Sequence, residues 1–334
     1  MFFLLLACTI QPPPASAAAP RLVVHEWGTF TSVVTAAGTA LDYQFGSEPS
    51  DLPGFVHTYE SRPRPKGPAE VPVGTVRMET PVVYVYADQP MDLTFVARFD
   101  VPGVMTEWYP AAAARHDRVG WKVKVDPVQS QPLPREAGAS HYYPARIPSS
   151  AMLTAGNGEY DSLLFYRGIA TFPLAPVRLE GEVLHTAGMG VVVQREGARL
   201  RMAPAAPQTR LPLPETTLAQ AEATLVDMLD GAGLTGEEAR AMMEVWDDTW
   251  FEEGVRVLTI QSRAETDRVM PLTIVPQPDE LERVMVGRVE VLTPAILAEA
   301  GRMLRADPAR GPAQVRARWP RAGSFALRAI QGES

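Results

Sequence analysis

The chain has a single cysteine, Cys8, so no internal disulfide can brace the fold and no thiolate cluster can bind a metal. Stability must come from the core, and a metal site would have to use His, Asp, Glu or carbonyl oxygen. Lysine is almost missing: only Lys66, Lys122 and Lys124 occur, and nearly all positive charge is arginine. Arginine suits bidentate pairing with carboxylates, so buried Arg/Glu pairs are an expectation. Net charge is −8 at pH 7, which gives no electrostatic reason to expect nucleic acid or an anionic membrane surface as partner. No apolar run is long enough to span a bilayer. Also missing are a Gly-rich phosphate loop, a Gly-x-Ser-x-Gly elbow and a His-Glu-x-x-His helix, which removes the motif-based routes to a named reaction.

What is there is enough for a core: 334 residues, 46% of them hydrophobic, punctuated by 32 prolines that count against long uninterrupted helices. Val82–Tyr86, Leu93–Val101, Trp121–Val125, Leu163–Ala170 and Val177–Leu184 read as strands, several with clean alternation. Val191–Met202 reads as a hairpin turning on Glu196-Gly197, with Val193 opposite Leu200. Gln44–Gly74 is loop by composition. After the proline-rich Pro204–Pro214, capping-box spacings open one helix at Thr217/Gln220 and another at Thr235/Glu238, ending near Gly231 and Gly254. Strands return at 255–261, 271–275 and 284–291, and a further helix starts after Thr293 with Pro294 at its first position. The expected fold is α+β: residues 1–20 a signal or tether, 21–205 an antiparallel, sandwich-like β region, and 206–334 a linker, helix pair and smaller α+β region.

The stretch Val23–Ser32 puts His25 and Trp27 on one face of a strand and Val24, Glu26 and Phe30 on the other. Neither face is polar, so the strand belongs inside a sheet covered on both sides, with His25 and Glu26 buried and in need of partners. The remaining ionisable groups gather in short aromatic-rich clusters: Arg77-Met78-Glu79-Thr80, Thr106-Glu107-Trp108-Tyr109-Pro110, His141-Tyr142-Tyr143-Pro144-Ala145-Arg146, and Glu159-Tyr160-Asp161 leading to Phe165-Tyr166-Arg167-Gly168. The plain reading is buried pairing, Arg77 with Glu79, and Arg146 or Arg167 with Glu26 or Glu107. The functional reading is convergence on a cleft in which His25, Glu26, Glu107 and His141 are the candidates for catalysis, and Trp27, Trp108, Tyr109, Tyr142, Arg146 and Arg167 for ligand binding. A metal would need three ligands from His25, Glu26, Glu107, His141 and His185, and His25 and Glu26 could share one only if Gly28 marks a bulge. No cofactor is indicated. Trp246 and Trp250 have helical spacing and read as core; the strip Glu244, Asp248, Glu252 on the opposite helix face breaks local charge rules, which marks either a solvated face or an arginine partner, with Arg256 near in sequence.

Leu5-Leu6-Ala7-Cys8 resembles the lipobox of bacterial lipoproteins, with Cys8 the lipidated residue and Thr9–Pro20 a tether; Ala15-Ser16-Ala17 would serve as an ordinary signal-peptidase site. His25–Ser32, Met78-Glu79-Thr80-Pro81-Val82, Thr106–Pro110, Phe165–Gly168 and Val286–Pro294 resemble motifs of a group of uncharacterised exported bacterial proteins, over most of the chain beyond residue 21. The resemblance implies export, to the periplasm or outer envelope, with membrane contact only through a lipid on Cys8, and it implies no reaction. The expected function is therefore binding of a glycan, peptide or small polar ligand in an aromatic, Arg- and Glu-lined cleft. The alternatives are a hydrolase-like, possibly metal-dependent enzyme and a purely structural envelope protein.

Overall fold

In the computed structural model, which describes residues 21–46, 51–59 and 72–332, the strand Leu22–Thr35 runs through the middle of a nine-stranded sheet. From one edge the sheet order is Arg199–Pro204, Val191–Glu196, Gly254–Ile260, Glu280–Leu292, Leu22–Thr35, Val76–Ala87, Leu164–Ala170, Gly103–Tyr109 and His57–Thr58. Only Leu22–Thr35 and Glu280–Leu292 run parallel; all other neighbours are antiparallel. The chain is thus α+β, with a large, mostly antiparallel β region and, among the described residues, six α-helices, all beyond residue 217. Strands from beyond residue 250 complete the same sheet as those before residue 205.

Both faces of the sheet are covered, as the apolar character of Val23–Ser32 requires. On one face Val24, Phe30, Val83 and Val85 pack against Leu93, Phe95, Trp121 and Val123 of a second sheet, built on Met91–Arg98 and Arg118–Asp126. Farther along that face Val34, Val257, Val289 and Val291 meet Val177 and, in a three-stranded sheet, Leu184. The other face carries two separate helical groups. Helices α1 (Leu218–Asp230) and α2 (Gly236–Trp250) cover Trp27, Val82, Tyr84, Val284 and Val286. Beyond the short α3 (Arg263–Val269), helices α4 (Pro294–Ala306), α5 (Gly311–Arg318) and α6 (Gly323–Gln331) cover Val33, Ile169 and Leu292.

Both capping boxes form, Thr217 with Gln220 and Thr235 with Glu238. Trp246 and Trp250 are buried and stacked, core as their spacing indicates. Three expectations need correction. The hairpin turns two residues' register later, with Val193 opposite Met202 and Glu196 opposite Arg199, because Gly197 at φ +58° takes the left-handed turn position. Residues 177–184 form two paired strands, Arg178–Glu180 and Val183–His185, turning at Gly181, also left-handed. Helix α2 ends at Trp250, short of Gly254, and the freed Trp250 carbonyl accepts from Arg256 Nη1.

Glu26 lies in the sandwich core, where Tyr166 donates to one oxygen and Arg283 Nε donates to the other at 2.6 Å. Arg283 also reaches Asp267. Glu26→Gln removes one partner of a fully buried ion pair, so urea unfolding should report a loss of about 3–5 kcal/mol. A variant as stable as wild type would show that the pair contributes nothing net.

Candidate functional site

A row of polar residues crosses the helix-covered face between the two helical groups. It follows from three irregularities in adjacent strands. Between Trp27↔Val82 and Thr29↔Glu79, and again between Phe165↔Val82 and Gly168↔Met78, the strand Val76–Ala87 carries one residue more than its neighbours. That bulge centres on Thr80, the one non-glycine residue with positive φ (+49°) among the described residues, and it is fully buried. Gly28 lies opposite, where a Cβ would come within 2.9 Å of Pro81 Cα. The next bulge sits where Arg167 pairs with Glu107 but Gly168 pairs with Met105. Bulges re-aim side chains, and backbone held in a sparsely populated region is typical of functional sites.

The resulting belt runs over five adjacent strands: Arg288 and Glu290, then Thr29 and Thr31, then Glu79 and Thr80, then Arg167, then Glu107. Four strand spacings make it about 19 Å long. Arg256 on the strand beyond extends it and donates to Glu290 at 2.6 Å. Side chains from the flanking elements close over it. Arg167 donates to Asp51 at 2.7 and 3.2 Å and to Thr80 Oγ1 at 3.1 Å. His141 bridges Asp51 and Asp248, 2.9 Å from each. Arg321, from the α5–α6 corner, donates to Glu79, which also accepts from Thr31 at 2.6 Å. Arg288 binds both Glu290 and Glu252. The belt grades from fully buried Arg288 to Asp248, whose side chain is 59% exposed, so it opens to solvent beside α2.

These groups set one another's ionisation. Hydrogen bonds from the His141 ring to Asp248 and Asp51 raise its pKa to about 9, outweighing its burial. Burial pushes Asp51 up, but the Arg167 charge and the His141 and Arg167 hydrogen bonds hold it well below the usual carboxylate range. Glu79 is likewise pushed up by burial and brought down to about 2 by Arg321, Arg77 and Arg288. In Glu290 the paired arginines outweigh burial and the carboxyl is lowered; in Glu252 burial outweighs Arg288 and the carboxyl is raised. Two nearby carboxyls driven apart in this way are a common feature of sites that move protons.

Of the residues singled out from sequence, the belt brings together Arg167, His141 and Glu107, the last accepting from Thr106. His25 is elsewhere: its Nδ1 is 3.0 Å from both oxygens of Glu238, which also accepts from Tyr86 at 2.7 Å. Burial opposes the His25 proton, but the Glu238 hydrogen bond and charge prevail and its pKa is raised. Glu238 and Asp248 lie ten residues apart on α2, about 15 Å along its axis, which separates His25 from His141. Glu26 faces the opposite side of the sheet, so the Gly28 irregularity does not unite it with His25. Arg146 pairs with Asp161 rather than with Glu26 or Glu107, and Tyr142 donates to the same Asp161 at 2.7 Å. Trp27 and Tyr109 are buried in the core under α1 and α2, and Trp108 in the sandwich core. Among the described residues no three His, Asp or Glu side chains are grouped as a metal ion would need. Cys8 and the tether lie outside the described residues.

Sequence reasoning missed Asp51, Arg288 and Arg321. Asp51 sits in a Pro- and Gly-rich loop and gave no signal. The strip Asp248/Glu252 did give one, since anions at a helix C-terminus need a cation; the partner of Glu252 is Arg288, not Arg256.

Because His141 is raised from 6.5 to about 9, its bridge stabilises the fold fully below about pH 6.5 and loses that contribution as pH rises through 9. The stability gap between wild type and His141→Gln, from urea melts at pH 6 to 10, should narrow across that window. A gap independent of pH would show that His141 carries no charge in the bridge.

No protein-family model and no curated protein matches the chain. Among solved structures it is similar to the Fcho1 Mu homology domain of Danio rerio with a bound Eps15 peptide, at 7% identity and a TM-score of 0.26, over 81% of this chain and 97% of the other. A likeness at that level carries no argument about fold or function.

Proposed function

We propose that this chain is an exported binding protein of the bacterial cell envelope that holds a small polar ligand over the charged belt, between α2 and the α5–α6 corner. The observation that carries this reading is the convergence of the five sequence motifs. Thr29 and Thr31, Glu79 and Thr80, Glu107, Arg167, and Arg288 with Glu290 come one motif to a strand from five neighbouring strands. A purely structural role explains buried pairs one at a time, as with Glu26–Arg283 or Arg146–Asp161, but not their concentration at two adjacent bulges beside a solvent opening. Binding is favoured over hydrolysis because His25, Glu107 and His141 do not converge into a nucleophile, base and orienting group. A hydrolase remains the second reading, favoured by the raised carboxyl of Glu252, just past the C-terminus of the helix that carries Asp248.

The site is tested by thermal shift of the purified protein against sugars, short peptides and small polar metabolites. A ligand at about 100 times its Kd adds roughly 2.7 kcal/mol of stability. The shift should be lost in His141→Gln and in Asp248→Asn, both at the solvent end of the belt. Shifts that survive in both variants would move the ligand site elsewhere.

Export and lipidation rest on Leu5–Cys8 and are tested separately. Expression in a bacterial host with a radioactive fatty acid should label the wild type and not Cys8→Ser. Equal labelling of both would reject the anchor.

A further inference from the structure

The belt is over-supplied with donors. Most of its polar atoms are paired, yet Arg167 Nε, Arg288 Nη1 and Thr29 Oγ1 are buried without a hydrogen-bond partner among the described residues. The Arg167 side chain is 4% exposed and that of Arg288 is fully buried, so neither guanidinium can turn to bulk water. Buried arginine N–H groups left unmatched are costly and call for an acceptor, a bound water or a ligand oxygen; Arg283 Nη2 beside Glu26 is in the same position, and what sets the belt apart is that its unmatched groups lie next to a solvent opening. One unmatched oxygen accompanies them, Glu252 Oε2. Burial raises that carboxyl, and once protonated it too is a donor. Thr29 lies opposite Glu79 on the neighbouring strand and two residues from Thr31, which pairs with Arg288 across the parallel ladder, so its hydroxyl belongs to the same stretch of belt.

We infer that the ligand held by the belt carries a compact oxyanion, a carboxylate or a phosphate, received at the inner end of the belt by Arg288 together with the Thr29 hydroxyl on the neighbouring strand. The inference rests on the reading of the belt as the ligand site. A neutral sugar would need acceptors as well as donors, and the carboxylates here are already engaged: Asp51 by Arg167 and His141, Glu79 by Arg321 and Thr31, Glu290 by Arg256 and Arg288. The arginines Arg77, Arg167, Arg256, Arg288 and Arg321 face the carboxylates Asp51, Glu79, Glu252 and Glu290, so net charge does not choose the ligand; the unmatched atoms do, and all but Glu252 Oε2 are donors. An oxyanion accepts from several of them at once, and guanidinium groups match the geometry of carboxylate and phosphate.

The test is calorimetric titration and thermal shift of the full chain with three probes at constant ionic strength: inorganic phosphate, acetate and neutral glucose, with chloride as the balancing ion. Arg288→Met leaves buried Glu252 without its arginine and is at risk of not folding, so Thr29→Val, close in shape and lacking the hydroxyl, is the main variant, with His141→Gln beside it. Phosphate or acetate should bind and raise Tm above the chloride control, glucose should not, and Thr29→Val should weaken the oxyanion about tenfold. The stronger of the two oxyanions identifies which source of the shared chemistry the site takes. Glucose binding that is lost in His141→Gln, with no oxyanion effect, would overturn the oxyanion while leaving the belt as the site. Oxyanion binding unchanged in both variants would overturn the belt as its location. No binding of either oxyanion would overturn the inference outright.

Discussion

Keeping buried charge paired is the constraint on which this architecture turns. Arg288 has no access to water and is held by Glu290 and Glu252; Glu290 is shared with Arg256; Glu79 is held by Arg321 from another element. A buried pair contributes little net stability compared with apolar residues of the same size, but losing one partner costs about 3–5 kcal/mol. The belt therefore does not explain why the protein is stable. It specifies arrangement: the C-terminal end of α2, the α5–α6 corner and the loop at Asp51 can dock only where their charges meet those of the sheet. The same requirement divides the helix-covered face into two apolar cores, one under α1 and α2 and one under α4 to α6, with the belt in between.

Much of the fold was legible because it is written in local patterns. Two capping boxes placed two helices, alternation placed the strands of the second sheet, and a run apolar on both faces placed Leu22–Thr35 inside a covered sheet. The limits are equally physical. Alternation does not encode which strands pair, so nothing in residues 22–35 indicated the parallel partner at 280–292. A hairpin register differs by two residues with no change of face, so patterning could not separate Val193 opposite Leu200 from Val193 opposite Met202.

The site was legible in its strands and not in its walls. His141, Glu107 and Arg167 could be singled out because charged residues among aromatics at strand ends need an explanation. Asp51 and Arg321 could not, since an aspartate in a Pro/Gly loop and an arginine near the end of the chain are ordinary. The bulge at Thr80 was hidden for a different reason: threonine is a strand former, and a positive φ there is imposed by the neighbouring strands. His25 shows the reverse error. Its dense surroundings drew attention, and its main partner proves to be Glu238, a residue whose capping role was already visible in the sequence.

The parallel pairing of Leu22–Thr35 with Glu280–Leu292 also shapes how the molecule comes into being. The two strands in the middle of the sheet lie far apart in the sequence, 257 residues by their register. Closing a loop of that length carries its entropic cost before any contact repays it, and such topologies fold slowly. During synthesis the first strand, apolar on both faces, must wait for almost the whole chain to follow before its parallel neighbour exists, with only the antiparallel strand Val76–Ala87 to shelter it. Until that neighbour arrives, the nascent sheet edge at Leu22–Thr35 is the surface most in need of protection from aggregation.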